Sequence, residues 1–347
     1  MRKIYLIRHG KPDFADDEKW CIGRTDLPLG EEGHLQSCLL GYELRKREIT
    51  DVFCSSLKRS IETAALLADT SPIVWSGLEE QDMGVWDGLA FRTIKERWPK
   101  LYEARGRQPE LLPPNAESRE AAFERFRKAI EEILDNSQGD VAIVAHKSVI
   151  QLYLCQQLIL PYASSTLLEY DGKVHLKSMG EVAHPFLTEE LCEQMLQCIH
   201  VPENICNHCK AVAHKAGQIA EMLNRAGFQL DMNTIVCGAM LHDMARTYKK
   251  HAETGAGWLL NLGYEKIAEV VLQHNQLSDW QTINEAAVVY LADKYIQDDR
   301  EVTIEKRFEK SYIKCKSPEA QAAHQKRYKM ALQVQEQIIK ACGGKRV

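Results

Sequence analysis

Ile4-Tyr5-Leu6-Ile7-Arg8-His9-Gly10 is a short apolar run broken at once by an arginine, a histidine and a glycine. Four consecutive apolar residues, two of them β-branched and one aromatic, read as a strand buried on both faces. In open parallel sheets, ligands bind just beyond the carboxyl ends of the strands. A histidine there, beside a permanently charged guanidinium and a glycine that lets a ligand approach the backbone, suits attack on a phosphoryl group. A strand end followed by an ordinary turn would read the same over three residues. The rest of the chain decides.

Working outward, apolar strands alternate with amphipathic helices through the first half. Residues 4–7, 52–54, 73–75 and 141–145 read as strands, and 31–47, 60–68 and 121–134 as helices. That order argues a sheet between helical layers. From about Leu187 onward long helical periods take over. A chain of 347 residues holds about two domains, here expected at 1–182 and 187–347. The last helix begins at Ser317-Pro318-Glu319 and ends at Gly343-Gly344. Its stripe of Met330, Ala331, Val334 and Ile338 is expected to pack on its own domain or on a second copy, as in a homodimer.

Net charge −5 excludes a strongly basic nucleic-acid binder but permits a local basic pocket for a small anion. Met1-Arg2-Lys3 leads into a strand that charge soon interrupts, unlike a signal peptide. No apolar stretch approaches the roughly 20 residues of a membrane span. Eleven cysteines without a secretory leader read as reduced thiols in the cytoplasm.

Three further segments give the opening motif company. Ser55-Ser56-Leu57-Lys58-Arg59-Ser60 follows the second strand and opens a helix, so Arg59 could lie over a phosphate at which helix N–H groups point. Leu78-Glu79-Glu80 precedes Met83-Gly84-Val85-Trp86-Asp87-Gly88, and Ala145-His146 closes the strand that begins at Val141. Together with Gly23-Arg24-Thr25-Asp26-Leu27-Pro28-Leu29, and in this order, the set resembles the histidine phosphatase superfamily, also called phosphoglycerate-mutase-like. The likeness covers roughly residues 1–175.

The resemblance implies an α/β three-layer sandwich in which His9 is the nucleophile that forms a phosphohistidine. Arg8, Arg59 and His146 would hold the phosphoryl oxygens, with Arg24 also binding substrate. Glu80 would protonate the leaving oxygen and then activate water. Phosphoryl transfer needs an in-line nucleophile, a cluster of cations and an acid, and no metal. Glu79 is a rival for the acid role, and family spacing favours Glu80. Two positions depart from the family pattern. Lys147-Ser148 follow His146 where small residues are common, so Lys147 would crowd the pocket or add a cation. Lys11-Pro12-Asp13-Phe14 stands where an asparagine is often found. The segment between Glu80 and His146 is compact, which favours hydrolysis over mutase-type phosphotransfer, and within the family the sequence most resembles the small phosphatases of the α-ribazole-phosphate type.

In the second half, four expected helices each set a metal-capable residue on an apolar face. His208 lines up with Val212, Ala216 and Ile219, and His242 and Asp243 follow Ala239 by three and four residues. His274 continues Ile267, Val270 and Val271, and Asp293 continues Ala286, Val289 and Tyr290. His214 instead aligns with Gln218 and Glu221 on the wet face. One histidine on an apolar face is usually a satisfied core residue. Four stripes converging on imidazoles and carboxylates would be costly to bury without a cation.

The pattern His208, His242-Asp243, His251, His274, Asp293 resembles the HD-domain phosphohydrolase superfamily over roughly residues 190–315. It implies an all-α HD domain holding one or two divalent transition metal ions. Imidazole and carboxylate ligands suit iron or manganese at least as well as zinc. His208, His242, Asp243 and Asp293 match the mononuclear core of the family. His251 and His274 match the extra ligands of binuclear members, with Asp243 as the bridge. Asn275-Gln276-Leu277 and Met244-Ala245-Arg246 lack the marks of cyclic-di-GMP phosphodiesterases and guanosine tetraphosphate hydrolases. The wording is nearer to proteins that cleave nucleotides or dinucleoside polyphosphates. Arg246, Lys249-Lys250 and Lys294 could bind phosphate, although a solvated charged face explains any one of them. Cys206 and Cys209 bracket His208 without a matching second pair, and with His208 inward Cys209 should turn elsewhere.

The expectation is a bifunctional phosphohydrolase acting on a small phosphorylated metabolite or nucleotide, away from nucleic acid and membranes. The alternatives are a phosphatase with a nucleotide-sensing HD half, and a phosphoglycerate-mutase-type phosphotransferase.

Overall fold

The opening apolar run forms β1 (Arg2–Arg8), and its neighbours explain why four apolar residues stand in a row. Ile4 and Leu6 face a core built with Phe126, Ile130 and Ile133. Tyr5 and Ile7 face a second core with Leu40, Leu44 and Ala64. Successive strand residues point to opposite sides, so a strand covered on both faces needs no polar alternation. The computed structural model describes residues 1–14, 18–108, 110–156 and 159–344. The chain separates into two compact units, Met1–Pro185 and Phe186–Val347, and the last three residues of the second lie outside the described ones.

In the first unit β1 is followed by β2 (Trp20–Cys21), α1 (Glu31–Leu44), β3 (Ile49–Cys54), α2 (Lys58–Ala65) and β4 (Ile73–Val74). Next come β5 (Leu89–Ala90), α3 (Phe91–Arg97), α4 (Pro99–Arg107), α5 (Arg119–Asn136), β6 (Asp140–Ala145) and α6 (Lys147–Tyr153). β7 (Ser164–Tyr170) and β8 (Val174–Val182) close the unit. The main sheet runs β4-β3-β6-β1-β7-β8. β3, β4, β6 and β1 are parallel, and β7 and β8 join antiparallel at one edge. Sequence periodicity missed that antiparallel pair. β8 is almost wholly exposed and carries charge, so it offers no apolar alternation to read.

Gly10 corrects one expectation. A Cβ there would lie 2.5 Å from the Gly33 carbonyl oxygen and 2.7 Å from Ser37 Oγ. In turn, a Cβ on Gly33 would meet Lys11 O at 2.1 Å. The glycine therefore lets α1, rather than a ligand, approach the strand end.

The second unit holds α7 (Glu189–Cys198), α8 (Glu203–Arg225), α9 (Met232–Leu241), α10 (His251–Asn261), α11 (Glu265–Gln273) and α12 (Glu285–Tyr295). A two-residue hairpin, β9 (Ile296–Gln297) with β10 (Arg300–Glu301), interrupts the otherwise helical order. Strands this short leave no periodicity, so the all-helical reading overlooked them. Then follow α13 (Ile304–Tyr312) and α14 (Pro318–Ala341). Side chains cap many helix starts, among them Asp231 on α9, Asn284 on α12 and Ser317 on α14, each satisfying an otherwise orphaned N–H. Ala331, Val334 and Ile338 on α14 are buried within this unit, and α14 packs on α12. That stripe is thus not an open surface for a second copy. Among the described residues no helix is long and apolar enough to cross a membrane.

Candidate functional sites

Three parallel strands deliver the first site from their carboxyl ends. Arg8 pairs in register with Ala145, and Cys54 with Val144. The next residues, His9, His146 and Ser55, therefore emerge side by side. The His9 N–H donates to Ala145 O and that of Ser55 to Val144 O. The imidazoles of His9 and His146 lie 5.0 Å apart between ring centres.

Arg59, on the first turn of α2, is fully buried between them. Its Nε donates to His9 Nε2 at 3.2 Å, and one terminal nitrogen lies 3.3 Å from His146 Nδ1. The remaining guanidinium bonds go to Thr25 O and Gly23 O, both at 2.7 Å. Asp87 holds that same loop from the other side. Its carboxylate accepts from the N–H groups of Gly23, Arg24 and Thr25 and from the Thr25 hydroxyl. Asp87 and the 23–25 backbone thus orient Arg59, a role the sequence motif did not disclose.

His9 Nδ1–H donates to its neighbour's carbonyl, Gly10 O, at 2.6 Å. This places the lone pair on Nε2, the nitrogen that faces Arg59. Burial, then the charges of Arg59 and Arg8, hold the His9 imidazole well below the usual histidine range. The same causes, burial first, lower His146, whose Nε2 lies 2.7 Å from Ser55 Oγ. Both imidazoles are neutral at pH 7.

Arg8 lies with its guanidinium carbon 3.6 Å from the centre of the Tyr162 ring. It donates to Leu160 O, yet its buried Nε has no protein partner among the described residues. An unsatisfied guanidinium N–H beside His9 is a place for an anion. Tyr162 sits on an irregular segment before β7 that sequence periodicity passes over.

Glu80 is buried, and its carboxyl accepts from the N–H groups of Gln81, Ser148 and Val149. Burial raises its pKa above the ordinary carboxylate value, against the pull of those N–H groups and of Arg59. A buried acid with a raised pKa can donate a proton. Glu79 points away, to Ser56 and Arg125. Arg125 also takes the carbonyls of Gly77 and Glu79 and fixes the segment. Arg24 is farther out: its side chain is 41 % exposed and reaches Glu80 O and Glu117. Lys147, the first residue of α6, is exposed.

The second constellation forms two triads. His208, His242 and Asp293 can direct one ligand atom each at a common point, as can Asp243, His251 and His274, all within 4.8 Å in each group. Asp243 therefore groups with the second set rather than with the expected mononuclear core. It still faces both ways. Its Oδ1 lies 3.4 Å from the Nε2 atoms of His251 and His274, and its Oδ2 lies 3.7 Å from His242 Nε2. Only His208 and Asp293 lie inside helices, whereas the rest occupy helix ends: His242 and Asp243 after α9, His274 after α11, His251 opening α10. The apolar stripes read from the sequence lead to His208, His242, Asp243, His274 and Asp293, whereas His251 followed from the family resemblance alone.

The donor set fits a cation. Nδ1–H of His208, His242 and His274 donates to Asp298 O, Ala239 O and Val271 O, at 2.7, 2.7 and 2.6 Å. Such carbonyl anchors leave the Nε2 lone pairs aimed inward, as metal ligands need. His242 Nε2 is buried with no hydrogen-bond partner among the described residues. The Nε2 atoms of His251 and His274 stand 3.2 Å apart. Burial lowers His242 to about 4. Burial alone would raise Asp243 and Asp293, but neighbouring cations and imidazoles outweigh it and hold both below the carboxylate range. Cys209 is fully buried in the helix core, where burial pushes its thiol well above the usual range. His214 is exposed and bonds Gln218.

A model of the histidine phosphatase superfamily (branch 1) matches residues 4–175, and an HD domain model matches residues 205–298. The bifunctional protein Rv2228c of Mycobacterium tuberculosis is 30% identical over 157 residues, 44% of this chain and 43% of that protein. A 6-phosphofructo-2-kinase/fructose-2,6-bisphosphatase of Caenorhabditis elegans is 31% identical over 159 residues, 44% of this chain and 33% of that one. The chain thus spans less than half the length of these relatives. Among solved structures, Bacillus stearothermophilus YhfR aligns over 53% of this chain and 99% of its own, at 25% identity and a TM-score of 0.49. The chain carries a histidine phosphatase superfamily domain followed by an HD domain.

Proposed function

We propose that the protein is a bifunctional phosphohydrolase with two separate sites. In the first, a phosphomonoester places its phosphoryl oxygens among Arg8, Arg59 and His146. The Nε2 lone pair of His9 attacks phosphorus in line, forming a P–N bond as the P–O bond to the leaving group breaks. Glu80 gives its proton to the departing oxygen. It then takes one from a water molecule that attacks the phosphohistidine and restores His9. The neutral His9 with its lone pair on Nε2, held between two guanidiniums, carries this reading. Its test is acid-labile phosphate trapped on His9 from a labelled monoester and lost in His9→Ala.

In the second site, His208, His242 and Asp293 would hold one divalent ion and Asp243, His251 and His274 another, with Asp243 turned toward both. Each triad joins two imidazoles to one carboxylate, a donor set that suits iron or manganese. Such ions supply an activated water at neutral pH and neutralise phosphate charge. Asp293 is kept ionised by Lys294, at 2.6 Å, and by Arg307, at 3.1 Å. Metal analysis of the purified protein, with hydrolysis assayed on adding Mn²⁺ or Fe²⁺, tests this half.

Fusion in one chain supports a sequence of reactions, in which the HD half releases a phosphomonoester for the first half to dephosphorylate. A screen of nucleotides and phosphate esters that turned up no shared product and substrate would overturn that coupling.

A further inference from the structure

Beyond the HD match, which ends at residue 298, the chain adds α13 and α14. A cavity of about 770 Å³ opens beside the two triads, and its walls come from both regions. Arg246 and Lys294 belong to the HD stretch, whereas Arg307, Lys310, Lys314 and Arg327 belong to the addition. Arg307 stands at the junction. One terminal nitrogen lies 3.1 Å from Asp293 Oδ1, and the other donates to Ile296 O. Lys310 and Lys314 are exposed on the same wall, and Lys310 Nζ lies 3.4 Å from Asp298 Oδ2. Buried His324 lines the same cavity, with Phe308 against its ring.

Three facts bear on the occupant. The cavity is of the size that encloses a ligand of many atoms, far larger than one phosphate. Its walls carry six cations, Arg246, Lys294, Arg307, Lys310, Lys314 and Arg327, against three carboxylates, Asp243, Asp293 and Asp298, a local excess of positive charge in a chain of net charge −5. Arg307, Lys310 and Lys314 recur at three- and four-residue spacing along α13 and just past its end, starting from the contact of Arg307 with Asp293. A scissile phosphate at the triads would occupy only the inner end of this row.

We propose that residues 304–327 form an anion subsite for the part of the substrate beyond the scissile phosphate, so that the HD half selects molecules carrying linked phosphates. The subsite rests on the reading of this half as a metal site. Arg307 would bind the phosphate next to the cleaved one, and Lys310, Lys314 and Arg327 the more distant charge. Arginine suits the inner, half-buried position through its planar fork, and the flexible lysines suit the wet outer one.

The test uses full-length protein loaded with Mn²⁺ and freed of excess metal. Calorimetric titration with inorganic tripolyphosphate and with orthophosphate, metal content being checked afterwards, reads the subsite directly. Tripolyphosphate should bind at least tenfold more tightly than orthophosphate. Lys310→Glu/Lys314→Glu, two exposed positions, should erase most of that preference while changing orthophosphate affinity less than twofold. Equal affinity for the two anions, or a preference untouched by the double substitution, would overturn the proposal. The two readings fail separately. Preferential tripolyphosphate binding without metal-dependent hydrolysis of any phosphate ester sinks the hydrolase reading and leaves the subsite. Metal-dependent hydrolysis with equal binding of the two anions sinks the subsite alone.

Discussion

Arg59 Nε donates a hydrogen bond to His9 Nε2 at 3.2 Å, inside a site where neither side chain is more than 6 % exposed. The contact fixes the imidazole plane and places a permanent charge beside the nitrogen that would attack. Loss of that nitrogen should remove the chemistry without removing the pocket. His9→Ala is expected to lower p-nitrophenyl phosphate hydrolysis by about 10³-fold or more, with the fold intact by circular dichroism. Retention of wild-type turnover would sink the phosphohistidine assignment.

Glu80 offers a sharper probe, because the need for an acid depends on the leaving group. Glu80→Gln should slow hydrolysis of an alkyl phosphate by about 10²–10⁴-fold. p-Nitrophenyl phosphate, whose leaving group departs without a proton, should lose far less in the phosphorylation step. Steady-state and burst kinetics on the two substrates make the comparison. Equal losses in that step would show that Glu80 acts on structure rather than as the acid.

Asp87 is expected to matter through Arg59. Asp87→Ala removes the acceptor of four hydrogen bonds from residues 23–25 and should cost about 1–3 kcal/mol of stability. The reorganised loop would no longer orient the guanidinium, so kcat should fall by about tenfold or more while Asp87→Asn recovers part of it. A wild-type kcat in Asp87→Ala would contradict the positioning role.

The pH dependence of stability follows from the buried imidazoles. His9, His146 and His242 all have pKa values lowered by burial, His242 to about 4. In the unfolded chain they take up protons near pH 6.5. Between that value and the folded pKa the unfolded state binds more protons, so stability falls as pH drops from 6.5 toward 4. His242 alone accounts for roughly 3 kcal/mol across that window in metal-free protein. Glu80, raised by burial, works in the opposite sense and regains stability as pH falls through its folded value. His251 and His324, also lowered by burial, act in the same sense as the other three imidazoles, so one group against five leaves a net loss. Urea midpoints of metal-free protein at pH 7 and pH 5 test the sign, and a higher midpoint at pH 5 would contradict it.

Much of this was legible in the chain itself, for physical reasons that differ by residue. The run Ile4–Ile7 is uninterrupted because two cores cover it, and that pattern can be read directly. The stripes leading to His208, His242, His274 and Asp293 are legible because buried helix faces repeat every three to four residues. Tyr162, Asp87 and Arg125 were not legible. They sit off any periodic stripe, and what they do depends on backbone groups that a sequence pattern does not display. Gly10 was legible as a special position but not for its reason, since the neighbour it admits lies 23 residues away at Gly33. The two-residue strands β9 and β10 are too short to show a period, and the apolar residues of the exposed edge strand β8, Val174, Leu176, Met179 and Val182, keep no regular alternation.

The central claim is that one chain carries two independent phosphohydrolase centres. Reciprocal substitution tests it most directly, with His9→Ala and Asp243→Asn each assayed on p-nitrophenyl phosphate and on bis(p-nitrophenyl) phosphate, with and without EDTA. The expected result is that His9→Ala abolishes the EDTA-resistant monoesterase and spares the metal-dependent diesterase, while Asp243→Asn does the converse and lowers bound metal. If either substitution abolishes both activities, or if EDTA and Asp243→Asn leave the diesterase unchanged, the two-centre account is wrong.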